Sequence, residues 1–275
     1  MSWGLLGILY IVCAVMCAVG FYKFVYFLSV GYGLAVAGGG IAVFIMYLIN
    51  PTATPLWLVA IQMLLFVAYG ARLSGFLLAR EFKNASFRKT DVAKESLAKN
   101  DEKKMPVFVL IFIWIFVSAL YVMQVSPMFF RWHNGSTDLV VPLVGVAVSV
   151  CGLLLESLAD KQKSAQKKVN PKMVATQGLY KVVRCPNYLG EITFWTGVFV
   201  AGLTTYRGAG QWIFAVVAYV AIVYIMFNGA QRMEKRQMKQ YGHLKAYREY
   251  ADKTPIILPL LPIYHLNKEE KGESK

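Results

Sequence analysis

No Asp or Glu precedes Glu81 in this chain. A carboxylate metal site or a carboxylate general acid is therefore excluded from the first part of the sequence. Charge is scarce throughout: 16% of the 275 residues are Asp, Glu, Lys or Arg, against 57% hydrophobic. That balance excludes a soluble domain of this size. The three histidines, His133, His243 and His265, have no HxxxH spacing, and the four cysteines form no CxxC pair, so a zinc site is not expected. Cys13, Cys17 and Cys151 fall in apolar stretches and are expected to be small buried residues rather than a disulfide framework. There is no G-x-S-x-G and no Walker loop. Gly38-Gly39-Gly40 lies within an apolar run without a βαβ pattern around it, which excludes a Rossmann turn. Internal repeats are absent, and no cleavable signal peptide is expected.

What is present is a series of apolar stretches long enough to cross a hydrocarbon core of about 30 Å. They predict an all-α polytopic membrane protein with about seven transmembrane helices, near 4–22, 25–49, 55–79, 106–125, 138–158, 188–204 and 211–229. One transmembrane domain over 1–265 is expected, followed by a charged tail at 266–275. The net charge of +14 does not point to nucleic acid, because the cations flank the membrane in three segments. One runs from Arg80 to Lys104, the second from Lys161 to Arg184 and the third from Arg232 to Lys275; the alternate loops offer only Arg131 and Arg207. The positive-inside rule then places the N-terminus outside and the C-terminus in the cytoplasm.

The stretch Tyr180–Trp195, YKVVRCPNYLGEITFW, is the most informative. Asn187, Glu191 and Trp195 recur every four residues and share one helix face, offering an amide, an acid and an indole. A carboxylate at the head of an apolar span needs a polar pocket or a partner. A plain helix start, with Asn187 capping and Glu191 paired to an arginine, explains the same spacing. Tyr69, Arg72, Phe76 and Arg80 line a stripe, where Tyr69 is either a substrate donor or a satisfied core hydroxyl, and Arg72 either an anion ligand or a snorkelling cation. Glu156, Asp160, Lys163 and Lys167 mark a polar face that is either a solvated helix end or part of a site. Beyond the last span, Met233, Tyr241, Leu244, Tyr247 and Ala251 predict a surface amphipathic helix begun by Arg232, Glu234 and Arg236. Ile256–Ile263, punctuated by prolines, is too short to span and is expected to fold back.

Gly178 to Trp195 reads G-L-Y-x-x-x-R-x-P-N-Y-L-G-E-x-x-x-W and resembles the C-terminal signature of the steroid 5α-reductase superfamily, in its bacterial-type branch. Leu155, Glu156, Ala159, Asp160, Gln162 and Lys163 match that branch's motif before the loop. Arg72-Leu73, Ser126-Pro127, Met233-Glu234-Lys235-Arg236, Tyr247-Arg248-Glu249-Tyr250 and Thr254 extend the likeness over about residues 69–259. The resemblance implies a seven-helix enzyme that binds NADPH within the bundle from the cytoplasmic face. It implies Asn187, Glu191 and Trp195 at the nicotinamide, within a signature that also supplies Tyr180, Arg184 and Tyr188. Asp160 and Lys167 would meet the adenosine part, with Arg72, Arg232 and Arg236 on phosphates. Tyr69 would face the substrate carbonyl. The superfamily's Gln-Glu pair near the end of the second helix has no counterpart here, and its Arg-His-Pro reads Arg184-Cys185-Pro186.

The expected function is NADPH-dependent reduction of a carbon–carbon double bond in a lipid or steroid-like enone, with Tyr69 and Glu191 catalytic. The expected partners are the bilayer and a hydrophobic small molecule, not nucleic acid. An S-adenosylmethionine-dependent membrane methyltransferase and a non-catalytic lipid-binding protein are the alternatives.

Overall fold

The structure is a computed structural model that describes residues 3–83 and 106–267. The basic residues from Arg88 to Lys104 and the tail lysines from Lys268 onward lie outside the described residues. The described elements are all helical: α1 (Trp3–Cys17), α2 (Val30–Ile49), α3 (Leu56–Lys83), α4 (Val107–His133), α5 (Val140–Val169), α6 (Pro186–Gly202), α7 (Gly208–Tyr241) and α8 (Lys245–Lys253). Six candidate spans are long and apolar enough to cross a membrane, which makes this a polytopic membrane protein. The remaining expected span, near 188–204, corresponds to α6, a helix of 17 residues.

The helix boundaries depart from the expected ones for identifiable reasons. The second span was expected from residue 25, but α2 begins at Val30. The chain between Cys17 and Ser29 turns through two 3₁₀ segments, separated by an extended Lys23. Phe27 pins this corner: its side chain is fully buried, and its carbonyl accepts from the Tyr121 hydroxyl at 2.6 Å. The fourth span was expected to stop near 125, yet α4 continues through Pro127 to His133. Proline cannot bond the carbonyl four residues back, and Ser126 Oγ donates to that Met123 carbonyl instead, at 2.7 Å. Both α5 and α7 run on past their apolar stretches as charged helical extensions. The single surface helix expected after the last span is a correction: α7 carries that sequence to Tyr241, a turn follows, and α8 starts at Lys245. Cys151 is a second correction, being exposed on α5, whereas Cys13, Cys17 and Cys185 are buried; all four thiols are free.

The chain divides into two compact units, Met1–Leu143 with Ala201–Ala218, and Val144–Val200 with Tyr219–Lys275. In the first, α2 and α3 touch backbone to backbone at Gly33 and Gly70. A Cβ on Gly33 would come within 2.8 Å of the Gly70 carbonyl, so only glycine permits this approach. Tyr32 stacks on Tyr121 at 5.0 Å and meets the edge of Tyr69 at 5.8 Å. At the other end of α4, Arg131 is fully buried rather than a loop cation. It pairs with Asp138 at 3.1 Å and donates to the Ala201 carbonyl and Thr204 Oγ1.

In the second unit α5 crosses α6 antiparallel, again through glycine. A Cβ on Gly190 would lie 2.8 Å from the Glu156 nitrogen and 2.9 Å from the Gly152 carbonyl, and Gly197 meets Gly145 and Ser149 equally closely. This crossing fixes the rotation of α6 about its own axis, and so decides which α6 side chains turn inward.

Candidate functional site

Ten of the twelve candidate residues, from Asp160 to Arg236, belong to the second unit, and the geometry there is built up from α5. Two amides one helical turn apart hold the loop that follows. Gln166 Oε1 accepts from the Thr176 and Gln177 nitrogens at 2.9 Å each, and Gln162 Oε1 accepts from the Leu179 nitrogen at 2.8 Å. Gly178 then takes a left-handed conformation with φ 67°, which turns the chain into the signature. Tyr180 is buried; its hydroxyl donates to the Ala159 carbonyl, and its own carbonyl accepts from the Tyr250 hydroxyl at 2.6 Å. Burial raises the Tyr180 and Tyr250 hydroxyls above the usual phenol range, and Asp160 adds to the effect at Tyr180. Both therefore stay protonated donors. Tyr180 is a fastener between the loop, α5 and α8.

The next residues pair with the C-terminal segment. Arg184 N donates to the Pro255 carbonyl and Cys185 N to the Ile256 carbonyl, each at 2.9 Å, while Ile256 N closes back on the Ile263 carbonyl. The expected fold-back of Ile256–Ile263 is thus observed. Arg184, 3% exposed, is engaged in an ion pair with Glu234 at 2.7 Å and also bonds the Tyr264 carbonyl. Glu234 is the hub of this segment. Its second oxygen accepts from the backbone nitrogens of Leu266 and Asn267 and from the Asn267 amide, and His265 bridges it to Asp252 at 3.0 Å on either ring nitrogen. This clasp was not expected from the sequence, although Glu234 and Arg184 stood within separate motifs.

Pro186 opens α6 with Cys185 just before it, so Asn187 lies in the first turn and does not cap the helix. Burial pushes the Cys185 thiol up to about 12, which keeps it an uncharged packing group. The Tyr188 ring lies beside Gly229 of α7, where an added Cβ would come within 3.3 Å of it, and it sits in the field of Arg236 and Arg232. One turn on, Glu191 is 6% exposed and accepts from the Trp195 indole at 3.1 Å. Asn187 is half-buried on the same face. The amide, acid and indole are thus brought onto one face, with the acid held in a water-poor setting.

The remaining candidates divide. Lys167 donates to the Pro171 carbonyl and to the Tyr241 hydroxyl at 2.9 Å, and lies over the Tyr241 ring. Asp160 is half-buried, and Arg232 and Arg236 are exposed on α7. Tyr69 and Arg72 belong to the first unit, where Tyr69 is fully buried and Arg72 half-buried on α3.

A family profile described as a protein of unknown function, DUF1295, matches residues 30–254. The chain belongs to the DUF1295 family. The match starts at the first residue of α2 and ends one residue past α8, so it takes in both units. No curated protein and no solved structure matches this DUF1295 member.

Proposed function

We propose that the protein is a membrane-embedded NADPH-dependent reductase of a carbon–carbon double bond in an apolar enone, with its cofactor entering from the cytoplasm. The observation that carries this reading is the buried Glu191 on a face shared with Asn187 and Trp195. A carboxylate in so apolar a setting needs donors, and the Trp195 indole is one of them. A carboxamide ligand also suits this face. Its NH₂ suits a Glu191 oxygen, its carbonyl suits the Asn187 amide, and a flat ring suits the Trp195 indole. The DUF1295 family is related to steroid 5α-reductase-like membrane proteins, which supports the same chemistry.

The residues fit the cofactor unevenly. Asn187, Glu191 and Trp195 would hold its nicotinamide end, and the exposed Arg232 and Arg236 suit its phosphates. Arg184 and Lys167 already carry other interactions, so their contribution is to hold the loop. When bound, the cofactor supplies a hydride for the β-carbon of the enone. Such a reduction would place negative charge on the enone oxygen, which a hydrogen-bond donor would stabilise, and would need a proton from solvent at the α-carbon.

Thermal-shift titration of the purified protein with NADPH and with S-adenosylmethionine tests the reading. NADPH at a hundredfold excess over its Kd should stabilise by about 2.7 kcal/mol, and Glu191→Gln should remove most of that shift. Stabilisation by S-adenosylmethionine alone would replace this reading with a methyltransferase, and stabilisation by neither with a lipid-binding protein.

A further inference from the structure

The first unit buries a carboxamide whose hydrogen-bonding capacity is unused. Gln124 on α4 is 2% exposed, and neither its Oε1 nor its Nε2 has a hydrogen-bonding partner. Gln62 on α3 repeats the pattern at 7% exposure, with its Oε1 unengaged. The neighbouring hydroxyls are different. Ser74, Ser126, Tyr121 and Thr54 each donate to a backbone carbonyl at 2.6 to 2.9 Å. Single buried atoms of Thr52, Ser118 and Arg131 also lack a hydrogen-bonding partner in this unit, but Gln124 is the side chain whose donor and acceptor atoms are both unengaged.

An amide left unbonded in a membrane bundle is costly, because lipid offers it nothing. A helix of this kind gains by carrying Leu or Met there unless something else meets the amide. Gln124 lies one turn beyond Tyr121 on α4, and Tyr121 stacks on Tyr32, which in turn meets Tyr69. Gln62 lies two turns before Tyr69 on α3, and therefore on the same face. Tyr32, Tyr69 and Tyr121 thus form an aromatic cluster beside these positions on α3 and α4.

We infer that the Gln124 carboxamide binds the neutral oxygen, a carbonyl or hydroxyl, of an apolar ligand. A carboxamide offers one donor and one acceptor without charge, which suits such an oxygen and not a carboxylate or phosphate. The assignment deepens the reductase reading, on which it rests for the oxygen being that of an enone. It gives the substrate a neutral donor where the sequence lacks an acid.

The test uses the full chain in lipid nanodiscs and two probe pairs: cholest-4-en-3-one against cholest-4-ene, and a long-chain alkyl enone against its parent alkene. Binding of each is measured by competition, with NADPH binding measured separately. The wild-type protein should prefer at least one enone over its hydrocarbon by about tenfold, the worth of one buried hydrogen bond. Gln124→Leu and the closer-shaped Gln124→Met should both reduce that preference below about twofold while leaving hydrocarbon binding in place. Equal preference in wild type and variants, as expected if a trapped water meets the amide, overturns the inference. So does the absence of enone preference for both pairs in the wild type. Failure of NADPH to bind while the Gln124-dependent preference persists would overturn the reductase reading alone.

Discussion

The two units bury polar groups in opposite ways. In the first, the interior of α2, α3 and α4 holds hydroxyls and amides, most of them tied to a nearby backbone carbonyl. In the second, the interior holds ionisable groups: Glu156, Arg184, Glu191 and Glu234 are each at most 6% exposed. A neutral hydroxyl is satisfied by a single carbonyl, as Ser126 is by Met123 and Tyr121 by Phe27. Ions need several donors, and those arrive from distant parts of the chain, as Glu234 draws on Arg184, His265, Leu266 and Asn267. The first arrangement suits a compartment for an apolar ligand, the second a cradle for a polar one.

The sharpest test of this contrast is Glu234→Gln. It leaves the Arg184 guanidinium buried without its counter-charge and weakens the acceptor for Leu266 and Asn267. Breaking a buried pair from one side costs about 3 kcal/mol, or roughly 10 °C. Hydrogen exchange at Leu266 and Asn267 should rise as well, and an unchanged melting point with unchanged protection would show the clasp to be incidental. Gly190→Ala comes next. Its added methyl meets the Glu156 side chain and also the backbone of α5 at Glu156 and Gly152, and because that backbone cannot yield, α6 must shift, at a cost of about 2 kcal/mol. The same shift would displace Glu191, so nucleotide affinity should fall along with stability.

Asp138→Asn probes the ion pair that breaks the pattern of the first unit. Arg131 keeps its bonds to Ala201 and Thr204, and Asp138 is partly exposed, so the loss should be smaller, about 1 kcal/mol. Burial opposes ionisation of Asp138, but the bonds from Arg131 and Thr204 outweigh it and hold its carboxyl below the usual carboxylate range. Its stabilising contribution is therefore present above the ordinary carboxylate value and is lost as pH falls through the lowered one. An acid titration of melting temperature should lose that decrement in the wild type and lack it in Asp138→Asn.

Much of this was legible beforehand because it rests on local pattern. Apolar length gave the spans, and four-residue spacing put Asn187, Glu191 and Trp195 on one face. The prolines and short length of Ile256–Ile263 anticipated its return to the bundle. What stayed hidden depends on long-range partners. Nothing near Arg131 announced that Ala201 and Thr204 would enclose it, some seventy residues on. Arg184 stood among the expected cofactor-binding residues, and its pairing with Glu234, fifty residues away, was not visible. Gln162 stood in a motif, but the loop that it and Gln166 hold follows a path that periodicity does not encode. Pro127 read as a helix end because Ser126's repair of the Met123 carbonyl is a side-chain detail.

The smallest stability effect expected is also the most discriminating, because its sign is reversed. Gln124→Leu removes an amide with no partner and fills the space with carbon of similar volume. In the absence of ligand it should leave the melting temperature unchanged or raise it, by up to about 1 kcal/mol. The same change at an engaged group, such as Tyr121→Phe, removes the bond to Phe27 and should cost about 1 kcal/mol. A residue kept for packing would lose stability on substitution, as Tyr121 does. A residue kept for a ligand is held against stability, and only binding reveals its use. Should Gln124→Leu destabilise as much as Tyr121→Phe, the amide has a structural partner, and the contrast between a neutral ligand compartment and an ionic cradle would lose its first half.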